Sequence, residues 1–397
     1  MTIKASEILG SAVERVTLGH PATDAVAREA ERHNAQRVFL LVSQHLNTQT
    51  DEIEKIRRAL GPRHAATHHG IRAHVPKTDL LTAVHAAQEA RADLVVAVGG
   101  GSIADAGKIL ALCLMYDVRS MEDLNALRIR RDAPAAVRPL PDGAPNIRVV
   151  CVPTTLSAGE FNPTSGVTDE ALGQKQGFTH ARMTPACVIL DPAITVHTPP
   201  WLWLSTGVRA VDHAVETLAS LQSNDFADGL AAGGLRLLGA ALPLVKAQPH
   251  DLEARLKCQV GAWMSILPLI SGVPMGASHA IGHALGGYCQ VPHGHTSCVM
   301  APYVQLWNAQ AVPQRQERIS ECLGAAGEPA HQVLDRLIRS LGMPRTLSEV
   351  GVPEEKFAQI ADYALRDIWG RTNPRPIKRL EDMLEILHLA QGSPIAG

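Results

Sequence analysis

Two periodicities alternate along the first half of the chain. Arg37–Ser43 (RVFLLVS), Leu94–Val98 (LVVAV), Ile147–Pro153 (IRVVCVP) and Ala186–Leu190 (ACVIL) are short β-branched runs with polar or chain-breaking ends, and they predict buried strands. Between them, Ala22–Asn34, Asp51–Leu60, Asp79–Arg91 and Ile103–Leu114 space their apolar residues as helices do. Such alternation predicts a doubly wound parallel sheet. From about residue 196 the pattern changes. Thr206–Leu221, Gly229–Leu244, Leu252–Ile266, Pro329–Leu341, Glu354–Ile368 and Leu380–Ala390 read as helices, with no convincing strand among them. The fold class is therefore α/β plus all-α: a Rossmann-like domain over residues 1–195 and an all-helical domain over 196–397. Asp117–Arg148, rich in Pro, Arg and turn residues, interrupts the α/β half and reads as a solvated surface excursion.

Charge sharpens this picture at one place. Between Lys257 and Arg315 the chain carries no Asp, Glu, Lys or Arg. Pro268, Pro274, Pro292, Pro302 and four histidines make this run the interior of a helical domain rather than a membrane span. Over the whole chain, 37 Lys plus Arg against 39 Asp plus Glu exclude the clustered cationic footprint of a nucleic-acid binder. The first 30 residues lack a secretory pattern, and seven cysteines without a C-x-x-C pair form neither a disulfide framework nor a thiolate zinc site. The expectation is a cytoplasmic protein with no membrane partner.

Leu94–Val98 leads into Gly99-Gly100-Gly101-Ser102 and then a helix start. Consecutive glycines let a ligand approach the backbone, and a helix N-terminus offers unpaired N–H groups to a pyrophosphate. A second polar turn, Thr154-Thr155-Leu156-Ser157, could supply hydroxyls to the same ligand. After the strand ending at Ser43 stands Gln44, where dinucleotide folds usually carry a carboxylate on the ribose. Without that repulsion, NADPH is expected to be accepted as well as NADH.

His279 and His283 are four apart, on one helical face, and Pro292-His293 places another imidazole on a rigid turn. Upstream, His213 follows Arg209 by one helical turn. Three imidazoles converging in a dry interior suit Zn²⁺ or Fe²⁺.

The ordered set Gly-Gly-Gly-Ser-x-x-Asp105-x-x-Lys108, Pro-Thr-Thr (153–155), Lys175, Asp191-Pro192, the His213 helix, His279-x-x-x-His283, Pro-His-Gly (292–294) and Asn373-Pro-Arg375 resembles the iron-containing alcohol dehydrogenase superfamily, whose fold is akin to dehydroquinate synthase. The resemblance covers nearly the whole chain. It implies a metal held by His213, His279 and His293, with His283 beside the nicotinamide. It also implies a cofactor on Gly99–Ser102, Asp105, Thr154, Thr155, Ser157 and Lys175, and at least a homodimer. The family's fourth metal ligand, an Asp, falls at Arg209, which repels a cation. That loss is similar to the maleylacetate reductase branch, which works without metal and reduces maleylacetate to 3-oxoadipate in aromatic-compound catabolism.

The expected function is thus NADH- or NADPH-dependent reduction of a small oxo-acid or dicarboxylate. Arg209, His213, His279 and His293 would act as cationic donors to the developing oxyanion, and His283 as proton donor or nicotinamide contact. Two readings stand beside it: an Fe²⁺- or Zn²⁺-dependent alcohol dehydrogenase, and a non-catalytic nucleotide sensor.

Overall fold

A computed structural model describes residues 7–129, 139–392 and 395. Of these, the residues between Ala12 and Thr198 form one compact unit, and those from Pro199 onward, with residues 7–11, form another. The expected boundary at 195/196 falls inside the short turn Ile194–His197; the next helix opens at Pro200, whose fixed φ suits a first helical position.

In the α/β unit the elements run β1 (Arg15–Leu18), α1 (Ala22–Arg32), β2 (Val38–Val42), α2 (Gln44–Gln49), α3 (Glu52–Leu60), β3 (His64–His69), α4 (Lys77–Glu89), β4 (Leu94–Gly99), α5 (Gly101–Met115), α6 (Met121–Ala126), β5 (Arg148–Pro153), β6 (Thr164–Asp169), β7 (Gln174–Thr179) and β8 (Cys187–Leu190). Six strands form a parallel sheet in the order β1-β8-β5-β4-β2-β3. β2 and β4 are buried throughout, as strands covered on both faces must be. From β2 the chain moves outward to β3 and then returns to β4 on the other side of β2. This reversal puts the topological switch point between the carboxyl ends of β2 and β4, where open α/β sheets bind ligands.

The sequence pattern misses β1, β3 and the antiparallel β6–β7 ribbon. β3 is the polar run His64–His69 at a sheet edge, and the ribbon stands outside the main sheet with Gly166 and Gly177 opposite each other. Neither has the alternating or continuous apolar pattern that burial imposes. In the Asp117–Arg148 excursion, α6 starts on a reciprocal Ser120–Asp123 capping box, whereas residues 130–138 lie outside the described residues.

The second unit is helical: α7 (Pro200–Ala219), α8 (Asp225–Ala247), α9 (Leu252–Ile270), α10 (Ala277–Cys289), α11 (His293–Asn308), α12 (Pro313–Cys322), α13 (Ala330–Leu341), α14 (Phe357–Arg366) and α15 (Leu380–Leu389). Its core joins apolar faces of α10, α11, α14 and α15 around Ile281, Met300, Tyr303, Ile360 and Ile386. By length and composition alone α8 is able to cross a membrane; it packs against α7 and α9. The charge-free run folds as most of α9, then α10 and α11. The rigid turn expected at His293 is instead a helix start: Pro292 is the N-cap residue and His293 the first helical residue.

Candidate active site

In the α/β unit, Thr154 N–H donates to Gly99 O at 2.9 Å, laying the 154–157 turn against the glycine loop. A Cβ on Gly100 would stand 3.0 Å from the Thr155 methyl, and one on Gly101 3.0 Å from Ser157 Oγ. These glycines therefore allow the close approach. Thr155 Oγ1 and Ser157 Oγ are buried without a protein partner. Unsatisfied hydroxyls beside the open N-terminus of a fifteen-residue helix fit the oxygens of a dinucleotide phosphate. Gly100→Val, at a φ that any residue adopts, is expected to weaken NADH binding about tenfold or more by filling that space, as a fluorescence titration would measure.

Gln44 lies across the switch point from the glycine loop; it is exposed, and its neighbour Ser43 donates to Val98 O at 2.9 Å. Ser102 Oγ accepts from His74 N–H at 3.2 Å. Lys175, on β7, spans Gly166; burial depresses the pKa of His74, and the Lys175 charge pushes the same way. Asp105 pairs with the fully buried Lys108 at 3.3 Å. The Lys108 ammonium also donates to the carbonyls of Gly159, Asn162 and Thr164, pinning the turn that follows Ser157.

Glu160, in that turn, is buried with Oε2 unpartnered, and desolvation lifts its carboxyl to about 7. Because the folded pKa is raised, its stabilising contribution is present below the unfolded value and is lost as pH rises through about 7. Between pH 5 and 8 this group is expected to remove up to about 3 kcal/mol of stability. Urea denaturation at both pH values should show a smaller difference in Glu160→Gln.

In the helical unit, Arg209, Asp212, His213 and Glu216 recur at spacings of three and four along α7, so a polar stripe runs through a helix that is buried nearly all round. Glu216 binds the start of α10: it accepts from the N–H groups of Gly276 and Ser278, each at 2.9 Å, and from His279 Nδ1 at 2.7 Å. Asp212 Oδ2 accepts the hydroxyls of Ser278 and Ser297, both at 2.7 Å. Arg209 Nη1 donates to Ser297 Oγ at 3.1 Å, so one hydroxyl stands between guanidinium and carboxylate. Among the described residues Arg209 has no ion pair within 4.0 Å and only that hydrogen bond.

The rings of His213 and His279 lie 4.9 Å apart. Burial drives both well below the usual imidazole pKa, and the Arg209 charge pushes the same way. Both are neutral near pH 7, which corrects the expectation that they act as cationic donors. His293 stacks instead on His283, with centroids 6.3 Å apart, and His283 Nδ1 lies 3.0 Å from Asp367. Burial raises Asp212 and Glu216; the Glu216 charge adds to the shift of Asp212, the N–H groups of Gly276 and Ser278 oppose that of Glu216, and Arg209 opposes both. Desolvation lowers Arg209, but a guanidinium keeps its proton at neutral pH.

His213 Nδ1, His279 Nε2 and Asp212 Oδ1 are buried acceptors without a protein partner. Asp212, Glu216 and His279 bring ligand atoms within 4.8 Å of one another and could hold a metal ion. This set shares only His279 with the expected His213, His279 and His293. Asp212, Glu216, Ser297 and Asp367 are not among the site residues expected from the sequence.

Residues 14–192 match the iron-containing alcohol dehydrogenase family and residues 203–391 the Fe-containing alcohol dehydrogenase family, C-terminal. The chain belongs to the Fe-containing alcohol dehydrogenase family. It is an NAD(P)-dependent oxidoreductase of that family. Dehydrogenase ALT3 of Alternaria alternata is 32% identical over 391 residues, covering 89% of this chain and 99% of its own. A maleylacetate reductase of Burkholderia cepacia is 31% identical over 375 residues, 94% of each chain. The crystal structure of maleylacetate reductase from Rhizobium sp. strain MTP-10005 superposes with a TM-score of 0.80 at 28% identity, covering 98% of this chain and 99% of that one. Relatives at this distance act under several names, so family membership leaves the substrate open.

Proposed function

We propose that this oxidoreductase reduces a carboxylated, conjugated carbonyl compound of the maleylacetate type with NADH or NADPH. The supporting observation is Arg209: a buried guanidinium, at the position where the family's metal-binding Asp falls, held by a single hydroxyl. Its remaining N–H groups suit a carboxylate or an enolate oxygen. The similarity to maleylacetate reductases points the same way.

The nicotinamide supplies a hydride when bound. The glycine loop, Thr155 and Ser157 would hold its phosphates. Charge then builds on the substrate oxygen, and Arg209 takes that charge through N–H donors already fixed by Ser297. The charges of Asp212 and Glu216 offset part of the cost of burying this cation. His283 delivers the proton that completes the reduction.

A second reading keeps the metal. The three orphaned acceptors on His213, His279 and Asp212 suit a divalent ion chemically, and such an ion would polarise a substrate carbonyl as a Lewis acid. Against it, Arg209 is close enough to depress both imidazoles.

The deciding experiment is NADH and NADPH oxidation with maleylacetate, using chelator-treated protein of known metal content. Turnover without metal supports the reductase. Inactivity with maleylacetate, together with alcohol oxidation restored by Fe²⁺ or Zn²⁺, overturns it.

A further inference from the structure

The strap between α14 and α15 holds α10 on either side of its histidine pair. At the helix start, Thr372 Oγ1 donates to Met275 O at 2.5 Å, and Asn373 Oδ1 accepts from Ala277 N–H at 3.3 Å. Nearly two turns along, Asp367 Oδ2 lies 3.0 Å from His283 Nδ1, while Asp367 Oδ1 accepts from Trp369 N–H at 3.0 Å. The Asp367 side chain is 10% exposed and that of His283 34%, so a covered carboxylate meets a more open imidazole. A carboxylate only accepts, so Nδ1 carries the hydrogen and Nε2 is the nitrogen left for chemistry.

We propose that Asp367 is a positioning residue that fixes the ring and tautomer of His283, so that Nε2 delivers the proton in the reduction. This rests on the role given to His283 above. In the step, the Nε2–H bond of the imidazolium breaks and a bond from that hydrogen to the substrate carbon or oxygen forms. The hydride from the nicotinamide supplies the reducing electron pair, and solvent reprotonates the imidazole. Asp367 exchanges no proton; it holds the donor in place and stabilises the charged ring.

Asp367→Asn keeps the shape and reverses the polarity. Its oxygen is retained by Trp369 N–H, so the new NH₂ faces His283 Nδ1, which must then accept, and the hydrogen moves to Nε2. Histidine-selective ¹⁵N spectra of the full chain are expected to show His283 as the Nδ1–H form and the variant as the Nε2–H form. This readout needs no substrate. With maleylacetate, or the carbonyl compound found to be reduced, Asp367→Asn is expected to lower kcat about 100-fold, with KM and NADH affinity within about threefold. In a His283→Ala background the same change should cost less than about threefold more, because the residue through which it acts is gone.

An unchanged tautomer, or equal losses with and without His283, overturns the inference about Asp367. His283→Ala at the wild-type rate overturns the role of His283 itself, and so separates failure of the underlying function from failure of the positioning claim.

Discussion

Replacing Arg209 by alanine is expected to lower kcat/KM for a carboxylated carbonyl substrate by about 10²–10³, the loss typical of removing one preorganised donor from a developing oxyanion. Three features make the effect large. The guanidinium is buried, so no water replaces it cheaply. It is oriented by Ser297, which is itself anchored on Asp212. The two nearest imidazoles are neutral and cannot substitute for its charge. Lysine should restore part of the activity through its charge but not the forked geometry. Arg209→Asp is the more telling variant, because it exchanges the cation for the carboxylate that the family's metal site uses. Its expected result is about one divalent ion per chain by elemental analysis after dialysis, together with loss of maleylacetate reduction. A metal-free Arg209→Asp protein, or an Arg209→Ala protein at normal rate, would show that the guanidinium does not occupy the functional place of the metal.

The origin of this site was partly legible in the sequence. Arg209 and His213 stand one helical turn apart and so share a face; Asp212 and Glu216, three and seven residues after Arg209, join the same polar stripe among Val208, Ala210, Val211, Ala214 and Val215, but were not expected in the site. The glycine loop could be read for the same reason: its chemistry lies in consecutive residues. Partner identity was not legible. Glu216 meets Gly276 and His279 about sixty residues away, and Asp367 meets His283 across eighty-four. No periodicity encodes such pairs; only the packing of α7, α10 and α14 creates them. Protonation was misread for a related reason. Histidine near neutral pH is a safe assumption in water, and burial beside a guanidinium reverses it. The fold followed the same rule, with strands at the sheet centre announced by apolar runs and the polar edge strand β3 silent.

Truncating Glu216 is expected to produce the largest stability loss of any single change at the site. Its carboxylate caps α10 from another helix, accepting two backbone N–H groups at the point where the helix dipole favours negative charge, and it orients His279 as well. Glu216→Ala leaves those donors buried and unpaired and removes an opposing charge from Arg209, so a loss of about 3–5 kcal/mol is expected in urea denaturation. Asn373→Ala is a milder change at the same helix start: it removes one longer bond to Ala277 N–H together with the hydrogen bonds of Asn373 to Asn308 and Arg375 O, none of them involving a charged side chain, so about 2–3 kcal/mol of loss is expected. Glu216→Gln separates the two tasks. With its oxygen on Ser278 N–H, its NH₂ takes the place of Oε2 and so meets both Gly276 N–H, donor against donor, and His279 Nδ1, whose hydrogen is forced to Nε2. Reversing the amide restores Gly276 and His279 but sets NH₂ against Ser278 N–H. Either orientation spoils at least one contact, so the glutamine protein should be less stable than wild type by about 1–3 kcal/mol. A glutamine variant with wild-type stability and an unchanged His279 tautomer would mean that α10 is held by its apolar face alone, and that the carboxylate serves only to balance Arg209.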